Sequence, residues 1–251
     1  MKRYLCKTSS FNHLPGNIFC YWASKQIIGH FEHSEKLSSK GNAKQGLSTS
    51  DNNRFLRLWY EIKFGSINFH AKNTADASSS HFKWFPYNKA GTFRKWSSID
   101  EYVVNYGDDG RDIKKLVMKK YPYLNSPDFV VKNTESYFKE GISWNDVSTG
   151  MFSCRYIPEG YIFADVAPTF FSSEPLLYLG YFNSNSFQQF ADIICQGLHY
   201  STGHIPEIPF VYPINELREE IKELVSINIK LSNKDRDSIE TSWCFKRNPL
   251  I

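Results

Sequence analysis

The sequence predicts an α+β fold, a β-rich body with flanking helices and a long helix near the C-terminal end. Three observations carry that prediction. Between residues 81 and 171, short apolar runs alternate with glycine and proline punctuation, as short strands do. Over residues 213–231, Leu217, Ile221, Leu224, Val225 and Asn228 recur at helical spacing, with Glu219, Glu220, Lys222 and Glu223 on the other face. A content of 41% hydrophobic and 16% aromatic residues in 251 is that of a globular chain long enough to bury a core.

Taken in order, residues 22–44 read as a charged helical stretch ending at Gly41. Residues 46–54 form a polar loop rich in turn formers, and residues 55–69 alternate well enough for a strand or hairpin. A small-residue loop over 72–80 leads to strands over 81–87 and 101–106. Asp108-Asp109-Gly110 precedes a helix over 111–120 whose early acids and late lysines match the helix dipole. Strands follow over 136–139, 152–156, 161–163 and 169–171, punctuated by Gly141, Gly150 and Pro158-Glu159-Gly160. Residues 174–195 are helical with a break near Asn183 to Asn185. Residues 205–210 are extended, because each proline disfavours helix in the residue before it. The polar tail from Ser232 has Trp243 and Phe245 as its large apolar anchors. There is no internal repeat.

No apolar run approaches the ~20 residues of a membrane span, and the early charges of the N-terminus are followed by no apolar stretch of a signal peptide. Five scattered cysteines point to reduced thiols and a cytoplasmic protein. The formal charge of +4 hides an asymmetry. Residues 1–99 hold 15 Lys+Arg against 5 Asp+Glu, a net of +10, and residues 100–251 hold 15 against 21, a net of −6. A basic half beside an acidic half orients a protein on a polyanion.

The basic half has a focus. From Ala77 to Ile99 there is no acid, while Lys83, Lys89, Arg94 and Lys95 are interleaved with Trp84, Phe85, Tyr87, Phe93 and Trp96. Cations that take phosphates, among rings that lie against sugars and bases, suit a nucleic acid. The competing interpretation is a core strand with a solvated basic edge.

Catalytic patterns are sparse. A methyltransferase needs a glycine-rich turn for its methyl donor and an Asn/Asp-Pro-Pro-aromatic motif to hold an amine. Neither is present, and Asn248-Pro249-Leu250 is only half of the second. There is no phosphate-cradling Gly-x-x-x-x-Gly-Lys loop and no Cys-x-x-Cys pair. His30-x-x-His33 with Glu35 has the spacing of a metal grip on one helix face, but without further ligands it reads as a solvated surface. Asp51 followed by Glu61-Ile62-Lys63 matches a divalent-metal nuclease pattern, with the lysine positioning water. Glu220-Ile221-Lys222 on a helix matches its second half equally well, so the pattern is weak. A nuclease and an RNA or single-strand binding module stand as alternatives to a duplex-DNA reader.

Several motifs carry a resemblance. They include Gly46-Leu47-Ser48-Thr49-Ser50-Asp51-Asn52-Asn53-Arg54-Phe55, Lys83-Trp84-Phe85-Pro86-Tyr87-Asn88-Lys89, Phe93-Arg94-Lys95-Trp96 and Glu101-Tyr102-Val103-Val104-Asn105. Gly141-Ile142-Ser143-Trp144, the stretch from Gly150 to Gly160, Leu177-Tyr178-Leu179-Gly180 and Thr241-Ser242-Trp243-Cys244-Phe245 follow in the same order. From about Leu14 onward the chain resembles the region downstream of the catalytic domain in the PglX family, the adenine-specific DNA methyltransferases of BREX phage-defence systems. It is more loosely similar to specificity domains of restriction–modification enzymes, whose recognition loop has glycine where Ser50 stands here.

The resemblance implies three segments: a helical connector over 1–45, a target-recognition domain over 46–212, and a helical spacer and tail over 213–251. It implies a middle piece of a longer enzyme, non-catalytic by itself, whose partners are double-stranded DNA, an upstream methyltransferase domain and other phage-defence subunits. The intact enzyme would move a methyl group from S-adenosylmethionine to the exocyclic amine of adenine in a short non-palindromic site, marking host DNA as self. This chain itself would hold no cofactor or metal.

The expected DNA contacts follow. Lys83, Lys89, Arg94 and Lys95 are expected at phosphates, with one arginine of this region reading guanine. Thr49, Asn52, Asn53 and Arg54 sit on the adaptable loop, where asparagine can pair with adenine and turn formation is the competing role. Tyr87, Asn88 and Trp96 are expected to stack, wedge or bond beside them. Ser153 and Arg155 flank a strand that could face DNA, and His204, with Tyr200 and Thr202, lies at the mouth of the Ile-Pro strand.

Overall fold

The computed structural model describes residues 14–247. Residues 1–13, with Cys6, and the Asn248-Pro249-Leu250 stretch lie outside the described residues. In chain order the strands are β1 (Glu35–Lys36), β2 (Gly41–Lys44), β3 (Leu56–Leu58), β4 (Trp84–Asn88), β5 (Trp96–Ser97), β6 (Tyr102–Asn105), β7 (Gly141–Trp144), β8 (Cys154–Ile157), β9 (Ile162–Phe163), β10 (Thr169–Ser172) and β11 (Pro209–Phe210). The helices are α1 (Lys25–His33), α2 (Asn52–Phe55), α3 (Thr74–Ser79), α4 (Gly107–Lys120), α5 (Pro175–Phe182), α6 (Asn185–Ile194) and α7 (Asn215–Arg236).

The fold is α+β, as the sequence predicts. A five-stranded sheet has the order β2-β10-β7-β8-β5, antiparallel except for the parallel β5–β8 pair. A four-stranded sheet has the order β3-β6-β4-β9, with β9 parallel to β4. A two-stranded ribbon joins β1 to β11.

Each large sheet carries its own apolar cluster. Ile142, Trp144, Cys154 and Phe170 of the first sheet pack on Phe31 of α1, Leu179 and Phe182 of α5, Phe187 of α6 and Val225 of α7. Phe85, Val104 and Ile162 of the second pack on Ile113 and Val117 of α4 and on Leu47, Tyr137 and Phe138. Burying each such side chain stabilises the fold by about 1.5–3 kcal/mol. Trp144 is completely buried, and its indole Nε1 donates to Tyr200 O at 2.7 Å, so its polar atom stays satisfied.

Local signals start the helices. The hydroxyls of Ser24 and Ser184 accept from the amides of Ile27 and Phe187 at the heads of α1 and α6. The second of these sets the break at Asn183 to Asn185. Asp108, Asp109 and Gly110 all have positive φ, 52°, 56° and 65°, a left-handed turn that precedes the regular part of α4.

The structure corrects several expected elements. The helix expected over 22–44 stops at His33, and its end is instead strand β2, so the segment expected as a helical connector supplies an edge strand of the main sheet. Ser34 turns extended at the helix end, and at Gly41 the ladder is so close that a Cβ would fall 2.3 Å from Phe171 O. The expected loop over 72–80 contains α3, capped by Asn73 accepting from Asp76 N. The expected hairpin over 55–69 reduces to β3 and two 3₁₀ turns, Trp59–Glu61 and Phe64–Ser66. No strand forms over 136–139, because Phe138 adopts φ 68° and turns its ring to 5.4 Å from that of Phe85. The extended segment over 205–210 opens with a 3₁₀ turn, Ile205–Glu207, before β11. The helix expected to end near residue 231 continues to Arg236, and Trp243 beyond it packs on Phe69 and Tyr161.

Candidate nucleic-acid interface

The loop from Ser48 enters α2 through a turn whose geometry the sequence dictates. Ser50 has φ 58°, the left-handed region that favours glycine. Asp51 caps α2, its Oδ1 accepting from Arg54 N at 3.1 Å, and the buried Thr49 hydroxyl donates to Asn52 Oδ1 at 2.6 Å. Lys120, at the end of α4, donates to Ser50 O at 2.9 Å and holds the turn from beneath. The left-handed residue and these caps fix the direction in which α2 presents its exposed side chains.

Strand β3 follows, paired along β6, and its Arg57 folds back so that Nη1 donates to Asn53 O and to Leu56 O, each at 2.6 Å. Lys89, just past β4, lays its Nζ 5.0 Å over the ring of Tyr102 on β6. Glu61, exposed, accepts from Leu58 N at 2.8 Å. Together Asn52, Asn53, Arg57, Glu61, Lys89 and Tyr102 line an open cleft of about 480 Å³ at the end of the four-stranded sheet. Arg54 lies beside it, its guanidinium 4.9 Å from the ring of Phe55. Two amides, one guanidinium group and one ammonium thus surround one concave surface with a single carboxylate.

No family model matches this chain. It is 32% identical over 252 residues, 99% of its length, to the adenine-specific methyltransferase PglX of Lacticaseibacillus casei (strain Zhang), of which it covers 20%. It is 31% identical over 249 residues, 97% of its length, to the adenine-specific methyltransferase BrxX of Escherichia coli O9:H4 (strain HS), of which it covers 19%. The chain is homologous to one region of the PglX and BrxX methyltransferases. It spans about a fifth of the length of these relatives. Among solved structures it is similar to the Type IIL restriction-modification enzyme MmeI in complex with DNA, with a TM-score of 0.56 over 86% of this chain and 30% of that one. At 12% identity that likeness is one of fold.

In this PglX-like region the basic and aromatic run over 83–96 divides. Lys89 joins the cleft, and Lys83 is exposed beside Gly107. Phe93 is exposed, whereas the polar groups of Arg94, Lys95, Tyr87 and Asn88 bond within the fold, which departs from the expected DNA contacts. Arg94 donates to Ser232 O at 2.8 Å and to Ser97 at 3.3 Å, and pairs with Asp235 at 3.4 Å, so it anchors β5 to α7. Lys95 donates to Asn183 O, capping the end of α5, and Trp96 packs against the helix-side cluster. Tyr87 is buried with its hydroxyl donating to Leu47 O at 2.7 Å, and burial raises that hydroxyl well above its usual range. Asn88 is buried with Nδ2 donating to Ser143 Oγ at 2.7 Å. Ser153 and Arg155 are buried as well, and His204 stands exposed in a turn after Ser201. Arg94, Lys95, Tyr87 and Asn88 thus spend their polar groups on the interior of the fold.

The charge halves of the sequence also interleave in space. Lys36 pairs with Glu207 at 2.6 Å, and Lys44 with Glu135 at 2.5 Å, where the lysine's hydrogen bond holds the Glu135 carboxyl below its ordinary value. The nuclease pattern does not assemble, because Asp51 and Glu61 each serve as a backbone cap, and among the described residues no three His, Cys, Asp or Glu gather as a metal site. His30 bonds Ser34 and His33 pairs with Glu32 along the surface of α1. Among the described residues no helix is long and apolar enough to cross a membrane.

Arg57 is the cleft residue that sequence reasoning missed. Its signal was the alternation of Leu56-Arg57-Leu58 in a short strand directly after the polar loop.

Proposed function

We propose that this chain is the duplex-DNA recognition module of an adenine-specific methyltransferase, with the cleft over α2, β3 and Lys89 as its reading surface. In this reading Asn52 and Asn53 present amides that match the N6 and N7 edge of adenine, and Arg57 or Arg54 matches O6 and N7 of guanine, each good pair giving about 1–3 kcal/mol of discrimination. Lys89 and the remaining arginine take phosphates and set the register. The observation that carries the reading is the convergence of both amides with Arg57 and Lys89 on one open cleft.

Methyl transfer belongs elsewhere in such an enzyme. A groove of about 680 Å³ between α1, α5, α6 and α7 is lined by groups such as Gln26, Phe190 and Leu224 and by no carboxylate that could take the ribose hydroxyls of S-adenosylmethionine. The residues present do not fit the donor. Equilibrium binding of labelled duplex, single-stranded DNA and RNA to the whole chain tests the proposal. The duplex should bind tightest, and Asn53→Ala should relax base preference while leaving the salt dependence intact. Equal affinity for all three ligands would refute it.

A further inference from the structure

Arg155 on β8 is a buried charge without a counter-charge. It is 0% exposed, and Nη2 donates to Asn145 Oδ1 at 2.7 Å. Its Nε and Nη1 are buried with no hydrogen-bond partner. The neighbouring hydroxyl of Ser143 is already committed, donating to Ala167 O and accepting from Asn88. Burial pushes the guanidinium down to about 10, and the charges acting on it are the Cys154 thiol and the like-charged Arg94, with no carboxylate among them. It therefore stays charged at neutral pH. A buried ion with no partner destabilises a fold, and unmet donors add to that penalty. An unsatisfied buried group in a native structure calls for an explanation such as a bound ion.

Asn145, which bonds Arg155, also lines a cleft of about 330 Å³, together with Ser148, Ser153, Phe93, Phe152 and Tyr200. Asn145 stands between the two. Its Oδ1 takes both Arg155 Nη2 and the Gly91 amide, at 3.3 Å, while its Nδ2 donates to Gly91 O at 2.7 Å. We propose that this cleft is a phosphate site. A phosphate oxygen displaces Asn145 Oδ1 from the guanidinium and receives the unused donors, with the Ser148 and Ser153 hydroxyls as further donors. The phosphate is either a free anion or part of a DNA backbone. The second source rests on the DNA-recognition reading, and the first does not.

The test is thermal unfolding of the whole chain in phosphate against chloride at matched ionic strength. Wild type should melt higher in phosphate, with a rise that saturates. Arg155→Met should abolish the rise and leave the melting temperature in chloride unchanged or higher, because it removes an uncompensated charge. Asn145→Asp, which supplies the missing counter-charge, should also abolish the rise and decides the matter should Arg155→Met fail to fold. Competition with duplex DNA separates the sources: a duplex that displaces phosphate identifies a backbone phosphate, and one that does not identifies a free anion. A wild type indifferent to phosphate would overturn the proposal, as would an Arg155→Met or Asn145→Asp protein that keeps the rise.

Discussion

Replacing Arg236 by Met removes the partner of the most buried carboxylate in an ion pair among the described residues. Asp100 has a side-chain exposure of 2%, and Arg236, at the end of α7, has 12%. The guanidinium bonds Asp100, donates to Ser98 Oγ at 3.2 Å and pairs with Asp237 at 2.9 Å, while Tyr161 donates to Asp100 at 2.7 Å. Burial raises the Asp100 carboxyl, and Arg236 is the largest force opposing that rise. Breaking a buried pair from one side costs about 3–5 kcal/mol. For a chain of 251 residues that corresponds to a melting temperature lowered by about 6–20 °C. Without Arg236 the Asp100 carboxyl rises further. A raised carboxyl pKa withholds stability above it, so the deficit should be largest at neutral pH and shrink as pH falls toward the ordinary carboxylate range. Urea unfolding followed by circular dichroism measures this across pH. The double variant Asp100→Asn with Arg236→Met should recover much of the loss. A loss below about 1 kcal/mol in the single variant, where a buried pair should cost several times that, would refute the view that this clamp fastens α7 to the β-rich body.

Two further outcomes follow from the geometry. At Gly46 a Cβ would sit 1.9 Å from Phe163 O, so Gly46→Ala should push the loop over 46–51 off β9 and destabilise the chain by about 1–3 kcal/mol or more, read by thermal unfolding. Glu135 is held below its ordinary value chiefly by the Lys44 hydrogen bond, and Glu174 chiefly by that of Tyr212, helped by Lys222 and Arg218. Depressed carboxyls contribute stability above their ordinary value and lose it as pH falls through the folded value. Acid unfolding should therefore steepen below about pH 4.5, and Lys44→Ala with Tyr212→Phe should flatten that limb.

The helices were the most legible part of the sequence. α7, the α5–α6 break and the regular part of α4 are set by local periodicity and capping, which a linear reading captures. β7 escaped because Gly141-Ile142-Ser143-Trp144 is buried on both faces and shows no clean alternation of polar and apolar residues. α3 escaped because Thr-Ala-Asp-Ala-Ser-Ser resembles a loop until Asn73 caps it. Of the proposed interface, the polar loop with Asn52 and Asn53 was legible together with Lys89. Composition could not separate Lys89 from Arg94 and Lys95. All three are cations among rings, and only the position of α7 and the α5 terminus decides which of them meets a backbone carbonyl instead of solvent.

That division gives the most direct test of the DNA-recognition account. The salt dependence of duplex binding should be measured for Arg57→Ala with Lys89→Ala and, separately, for Arg94→Ala with Lys95→Ala. The first pair should lower the log–log slope by about 0.9 if Arg57 reads guanine and by about 1.8 if it takes a phosphate, roughly 0.9 for each phosphate that is no longer neutralised. The second pair should weaken folding and leave the slope unchanged. The reverse pattern would contradict the assignment of the reading surface to the cleft over α2 and β3.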